Sequence, residues 1–279
     1  MTNSGDSPLV TVLMTCYNAE STIKESVMSI VNQDLTDWEL LLVDNKSDDR
    51  SIDQIRFLQD DRIRVVVPPT HLERTAALNF GIKHCRGRYI AILDADDISE
   101  PSRLSNQVAM LNADHGLVGV GTFFSVIDQE GKELTRTSFD NDPAAICRQM
   151  SHNLLLVHSS MMFRSESCRK VNAYRVEYKY AADFALWLDL LQIGKLGAVP
   201  KYLTKIRTSQ NSLTHNKTYK RYVITEALRL YVKSQRLVGL RLIDRMHGFK
   251  TIVYLSGRFL NLYAQLLLKR LTKVSAKQL

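Results

Sequence analysis

Cysteine is scarce in this chain: Cys16, Cys85, Cys147 and Cys168 lie far apart and form no Cys-x-x-Cys pair. That spacing argues against a disulfide framework and a thiolate metal site, and it fits a reducing compartment. No Gly-x-Gly-x-x-Gly and no Walker A loop follows the first apolar run, which removes support for a dinucleotide fold or a P-loop enzyme. The first eight residues are polar, with no basic segment leading into an apolar one, so no signal peptide is expected. No apolar run is long and clean enough to span a bilayer, because Lys250, Arg258, Lys269 and Arg270 interrupt residues 248–271. No internal repeat or low-complexity segment is present.

Acidic residues are nearly missing from the C-terminal part. Residues 201–279 hold 17 Lys and Arg but only Glu226 and Asp244, whereas residues 1–200 hold 20 basic and 27 acidic side chains. The net charge of +8 is therefore an acidic body joined to a strongly basic tail. Such a tail points to an anionic partner. No nucleic-acid recognition motif accompanies it, which leaves an anionic membrane surface as the expected partner. Helical spacing puts Ile252, Leu255, Phe259, Leu262 and Leu266 on one face and Arg258, Asn261, Gln265 and Lys269 on another. A basic amphipathic helix of this kind lies in a membrane interface. The alternative is a helix packed on the rest of the chain or on a second copy, which would make a homo-oligomer.

What remains is ordinary for a globular protein: 279 residues, 45 % hydrophobic and 24 % charged, enough for one large domain with an appendage. The patterning predicts strands over 9–14, 39–43, 63–67 and 89–93. Between them it predicts helices from Ser21 (with Thr22 and Glu25 at capping-box spacing), around Ile52, Ile55 and Leu58, and over 74–84. Four alternations of strand and helix call for a parallel sheet of βαβ units. Further on, a helix runs from Pro101 to Gly116, followed by a hairpin of 118–127 and 133–138 around Asp128 to Gly131. A strand over 159–163, a helix led by Asp183, short strands over 196–199 and 203–206, and helices beyond Tyr219 complete the reading.

Chemistry concentrates where Ile90-Ala91-Ile92-Leu93 runs into Asp94-Ala95-Asp96-Asp97. Carboxylates this close repel, and a divalent cation relieves the repulsion while holding substrate phosphates. In open α/β sheets ligands bind at the carboxyl ends of strands, where this cluster would sit. Asp44 ends another strand, and Asp183 opens a later helix. The set suits a nucleoside diphosphate held through a metal, with a separate base. Each acid taken singly is equally an ordinary helix cap.

Taken together, these segments resemble the inverting family 2 glycosyltransferases of the GT-A fold. Thr11-Val12-Leu13-Met14-Thr15-Cys16-Tyr17-Asn18 is similar to that family's opening strand and Tyr-Asn turn, and Leu42-Val43-Asp44-Asn45-Lys46-Ser47 to its Val-Asp-Asp-Gly-Ser stretch. Arg74-Thr75-Ala76-Ala77-Leu78-Asn79-Phe80-Gly81 looks like its Arg-x-x-Ala-Leu-Asn-x-Gly segment, and Asp94-Ala95-Asp96 like its Asp-x-Asp motif. His158-Ser159-Ser160-Met161-Met162-Phe163-Arg164 resembles the segment before the acceptor region, and Ala182-Asp183 the Glu-Asp motif. The likeness spans residues 9–214 in order. It departs at Asn45-Lys46, which replace Asp-Gly, at Ala182, where Glu is usual, and near Ser209, which lacks a nearby His.

The resemblance implies an α/β fold, a Rossmann-like and mostly parallel sheet flanked by helices. The catalytic domain would be 1–218, with a helical extension over 219–279. It implies that Thr15, Tyr17, Glu20 and Asp44 contact the nucleoside and that Asp94 contacts the ribose or donor sugar. Asp96 would bind Mn²⁺ or Mg²⁺, and Asp183 would be the general base. Arg74, Asn79 and Arg207 join the substrate-binding set, Arg207 through the pyrophosphate. The expected activity is transfer from a nucleotide sugar, a UDP-sugar, to a hydroxyl of a lipid-linked glycan at the inner face of the cell membrane. A catalytically silent membrane-associated nucleotide-sugar-binding protein is the alternative. A sugar-nucleotide nucleotidyltransferase lacks its Gly-rich triphosphate loop here.

Overall fold

The computed structural model describes residues 7–150 and 155–208, together with 225–226, 229–234 and 246. The chain divides into two compact units, Met1–Cys147 with Leu154–Ser209, and Arg148–Asn153 with Gln210–Leu279. The basic face predicted over 252–269 lies outside the described residues. Among the described residues no helix is long and apolar enough to cross a membrane, and all four cysteines are free.

The first unit is α/β, as expected. Strands β1 (Val10–Cys16), β2 (Trp38–Asp44), β3 (Ile63–Val66) and β4 (Tyr89–Ile92) run parallel in the order β3-β2-β1-β4. All seven residues of β2 and all four of β4 are buried, which explains the apolar runs Leu40 to Val43 and Tyr89 to Ile92. Helix α1 (Ile23–Val31) covers one face, where Ile23, Val27 and Ile30 pack with Val12, Met14, Leu40 and Leu42. Fully burying each such side chain stabilises by about 1.5–3 kcal/mol. Helix α2 (Arg74–His84) presses on Leu13 and Val43 through Gly81; a Cβ there would lie 2.4 Å from Leu13 Cδ1. A larger residue at 81 would overpack this contact at a cost of about 1–3 kcal/mol.

Beyond β4 the sheet turns mixed. The two-residue strand β5 (Ile98–Ser99) is followed by α3 (Arg103–Ala113) and the hairpin β6 (Leu117–Ile127) and β7 (Glu133–Thr137). Then come α4 (Pro143–Gln149), β8 (Met162–Arg164), α5 (Ser165–Lys170), α6 (Ala182–Leu190) and β9 (Lys195–Arg207). Strand β8 pairs antiparallel with both β4 and β6, β9 runs parallel to β6, and β5 caps the far edge of β9.

Four expectations are corrected by packing. The segment around Ile52, Ile55 and Leu58 forms irregular turns instead of a helix. Ser51 and Asp49 bond to the Ala19 and Glu20 amides, and Phe57 stays exposed. The strand predicted over 159–163 starts as a 3₁₀ turn at His158–Ser160 and becomes strand only at Met162. The two short strands near the end are one, with Pro200 and Lys201 skipped in the ladder to β6. Thr22 and Glu25 form no capping box. The Thr22 hydroxyl donates to the Ala95 carbonyl at 3.0 Å, and Glu25 pairs with Arg207, because tertiary partners outcompete the helix's own amides. Helices α4 and α5, at seven and six residues, are too short to show a period in the sequence.

Candidate active site

Strand β1 has β2 on one side and β4 on the other, so the chain order reverses between β1 and β4. The crevice at the carboxyl ends of such strands is the ligand-binding edge of an open α/β sheet. Residues Thr15, Asp44 and Asp94 all sit at this edge, at the ends of β1, β2 and β4.

The β1 and β2 loops are stitched together. Asn18, in a left-handed conformation, donates its amide to Ser47 Oγ and accepts the Asp48 amide at its side-chain oxygen. Asp44 accepts the Ser47 amide at 3.0 Å, and Glu20 is paired with Arg50 at 2.8 Å. Lys46 keeps a φ of +67°, the conformation for which the resembling motif has Gly. A side chain there costs about 1 kcal/mol, so the turn's shape survives the substitution. Asn45 is buried. It grips Leu72 with both amide atoms, and its carbonyl meets His71 Nδ1 at 2.9 Å. His71 lies edge-on to Tyr17, with ring centroids 4.6 Å apart, and Tyr17 remains 52 % exposed. An exposed ring on a fixed support is suited to stacking on a flat ligand group.

The acid loop carries three carboxylates in three different states. Asp94 accepts from Arg74 Nη2 at 2.9 and 3.2 Å and lies 3.2 Å from His158 Nδ1. Burial opposes its ionisation, but the Arg74 charge and then His158 outweigh that and hold its pKa below the usual carboxylate range. Asp97 is buried, accepts the Arg207 amide at 2.8 Å, and has a pKa raised by burial and by its two acidic neighbours. Asp96 faces solvent and has no ion-pair partner among the described residues. The surrounding protein, and then the Asp94 charge, push its pKa up to about 6.

Among the described residues no group of three or more His, Cys, Asp or Glu is arranged to hold a metal by itself. The donor chemistry fits a shared site. Hard divalent ions are commonly held by one or two carboxylates completed by substrate phosphates and water. Asp96, open to solvent just past a strand end, has the chemistry of such a ligand.

Helix α2 brings the remaining groups together. Its first residue, Arg74, is kept charged by Asp94 foremost and also by Asp183, which sits in the first turn of α6. Thr75 Oγ1 donates to the Tyr178 carbonyl at 3.0 Å, tying the segment before α6 to α2. The base candidate and the acid loop thus share one cation. Two predicted residues are engaged elsewhere. Asn79 clamps the backbone of Tyr174 in both directions, at 2.7 and 3.0 Å. The Arg207 side chain is 5 % exposed and donates to the carbonyls of Asp96, Asp128 and Gln129 and to Glu25. It ties the acid loop to α1 and to the β6–β7 turn.

His158 and Tyr174 escaped sequence reasoning as site residues. His158 lies in a single 3₁₀ turn, and Tyr174 follows two residues with positive φ, Asn172 and Ala173. Neither setting has a periodic signature.

Comparison with known proteins bears on the family and the fold. Residues 11–171 match the profile described as Glycosyl transferase family 2. The putative glycosyltransferase EpsE of Bacillus subtilis (strain 168) is 32 % identical over 257 residues, which is 90 % of each chain. An Escherichia coli protein, UDP-Glc:alpha-D-GlcNAc-diphosphoundecaprenol beta-1,3-glucosyltransferase WfgD, is 26 % identical over 76 % of this chain and 82 % of its own. Among solved structures, S. aureus TarS in complex with UDP superposes with a TM-score of 0.66 at 17 % identity, covering 90 % of this chain and 70 % of that one. The mannosyltransferase PcManGT from Pyrobaculum calidifontis, in complex with GDP-Man and Mn²⁺, gives 0.64 at 17 % identity, over 91 % and 70 %. These two structures share the fold with this chain, which is the GT-A arrangement the motifs implied.

Proposed function

The chain belongs to glycosyl transferase family 2, and from that premise we propose that it moves a sugar from a UDP-sugar to a hydroxyl of a lipid-linked glycan with inversion at the anomeric carbon. The observation that carries this reading is the division of labour in the acid loop: Asp94 and Asp97 are compensated by protein groups and Asp96 is left open to solvent. Relatives named for UDP-Glc transfer to a diphosphoundecaprenol-linked sugar, and for teichuronic acid biosynthesis, support the choice of donor and acceptor class.

In this reading Tyr17 stacks on the base, Thr15 and Asp44 line the nucleoside pocket, and Arg74 with Asp94 orients the ribose and donor sugar. Asp96 holds Mn²⁺ or Mg²⁺, which when bound neutralises charge on the departing diphosphate. Asp183 accepts the proton of the acceptor hydroxyl as its oxygen bonds to the anomeric carbon. The bond from that carbon to the nucleoside diphosphate breaks on the opposite face. Glu20, Asn79 and Arg207 act by holding loops rather than by touching the donor. The tail beyond residue 219 gathers the enzyme on anionic lipid, where its acceptor resides, at the inner face of the membrane.

Thermal stabilisation by a panel of nucleotide sugars with Mn²⁺ tests the donor. A ligand at 100 times its Kd adds about 2.7 kcal/mol of stability, which a melting curve resolves. UDP should stabilise the full chain with Mn²⁺ and much less after EDTA. Equal stabilisation in both conditions removes the metal from the reading. Co-sedimentation with anionic vesicles at low salt tests the tail, and a full chain that stays in solution refutes that part.

A further inference from the structure

Asp94 can orient a ligand only if its own carboxylate is held still, and two buried side chains outside the described donor contacts do this. His158 is 7 % exposed, with Nδ1 at 3.2 Å from Asp94 Oδ1 and Nε2 at 2.8 Å from the Tyr174 hydroxyl. Tyr174 is 2 % exposed, and its ring meets the His158 ring edge-on. Nδ1 also lies 3.1 Å from Arg74 Nη2, so the ring rests against both members of the Asp94–Arg74 pair. With the proton on Nδ1 the ring donates to Asp94 and Nε2 accepts from the Tyr174 hydroxyl; with the proton on Nε2 it donates to Tyr174 and Nδ1 accepts from Arg74. In both arrangements Tyr174, His158 and the Asp94–Arg74 pair form one hydrogen-bonded chain.

The backbone around the pair is built for the same end. Tyr174 follows Asn172 and Ala173, with φ of +63° and +56°, a left-handed turn that a residue with a side chain rarely adopts. The Ala173 amide donates to the Cys168 carbonyl at 2.9 Å, which fixes that turn. The Asn79 amide then holds Tyr174 at both its backbone groups. On the other side the Asp94 amide donates to Ser159 Oγ at 3.0 Å, so the residue after His158 holds the backbone of the residue His158 contacts. Unfavourable backbone held in place by surrounding bonds clusters where side-chain placement matters.

We propose that His158 and Tyr174 are positioning residues for the donor site: the Tyr174 hydroxyl orients the His158 ring, and His158 fixes the Asp94 carboxylate against Arg74 in the rotamer that meets the donor. The proposal rests on the reading of Asp94 as a donor contact. Asn79 is then the outermost member of the chain, acting through Tyr174.

The test is calorimetric titration of UDP and UDP-glucose, with Mn²⁺, into the full-length protein. Tyr174→Phe removes one hydroxyl and keeps the ring; it should weaken binding about tenfold while the ligand-free melting temperature stays within a few degrees. His158→Ala should weaken binding more. His158→Asn puts an amide donor where Nδ1 stands and should recover most of that loss, which a role in packing alone would not produce. Asparagine no better than alanine at position 158, or Tyr174→Phe binding as wild type, overturns the positioning role and leaves the nucleotide site intact. Wild type that binds neither titrant overturns the nucleotide site and the proposal with it. If Tyr174→Phe melts much lower, the asparagine-against-alanine comparison still decides.

Discussion

Glu39 and Asp96 lie at opposite ends of the same parallel strands and are treated in opposite ways. Glu39, second residue of β2, is buried. It accepts from the Thr11 hydroxyl at 2.7 Å, the Arg86 amide at 3.1 Å and Arg64 at 3.3 Å. Asp96, just past the end of β4, is exposed, has no ion-pair partner among the described residues and has a raised pKa. A buried carboxylate with both oxygens hydrogen-bonded holds a structure together. A carboxylate whose ionisation is opposed by its surroundings and by an acidic neighbour gains when a further cation arrives. The amino end of the sheet is thus finished within the chain, whereas the carboxyl end leaves Asp96 open to solvent.

The comparison can be broken most forcefully through chemistry at the open end. Asp183→Asn keeps shape and removes the proton acceptor. It should lower kcat by about 10²- to 10⁴-fold with UDP affinity retained, and near-normal turnover would place the base elsewhere. Asp96→Ala should weaken Mn²⁺-dependent UDP binding by about 10²-fold or more, given that losing even an outer partner of a metal ligand costs about 10–100-fold. Calorimetry showing an unchanged affinity would close the open end.

At the finished end, Glu39→Ala strands the Arg86 amide and Arg64. It should lower unfolding free energy by about 2–3 kcal/mol in urea titrations, leaving the metal-dependent UDP affinity of the folded protein as it was. A change in that affinity would show that the two ends are coupled. A pH series sharpens the contrast. Cation binding needs the carboxylate form of Asp96, so metal-dependent UDP binding should fall about tenfold as pH drops from 7 to 5 through its pKa of about 6. That component should vanish in Asp96→Ala, which separates it from protonation of UDP itself. In the ligand-free protein the same raised pKa acts in the other direction. Below it the folded form binds the extra proton, so the contribution of Asp96 to stability declines as pH rises from about 4 to 6. The smallest effect is expected at the β2 turn, where Lys46→Gly relieves a positive φ and should raise the melting midpoint by the equivalent of about 0.5–1 kcal/mol.

The amino-terminal half was legible because its signals are local. Strands β1, β2 and β4 are buried on both faces, so each is predominantly apolar and ends in turn or acid residues. Helix α2 begins and ends where the pattern puts it, at Arg74 and His84. Asp94, Asp96 and Asp183 are singled out by residue type at strand and helix ends, and the structure groups Asp94 and Asp183 around Arg74. The carboxyl-terminal half was less legible because its pairing is long-range. Nothing near Ile98 announces a two-residue strand, since its partners are Thr204 and Lys205. Pro200 reads as a break, yet the ladder to β6 absorbs it as a bulge.

Residue chemistry and spacing, by themselves, determined the α/β class, the acid loop at a strand end and the family likeness, because each depends on neighbours a few positions apart. Tertiary structure alone decided which of three adjacent carboxylates is left open. It gave Asp94 to Arg74 and His158, and Asp97 to the amide of Arg207, across separations of 20, 64 and 110 positions. It also drew Thr22 and Glu25 away from a cap and, with Arg207, into ties around the acid loop. The physical reason is the same in each case: a polar group removed from water takes whatever partner the packing brings within about 3 Å, and sequence distance does not enter that choice.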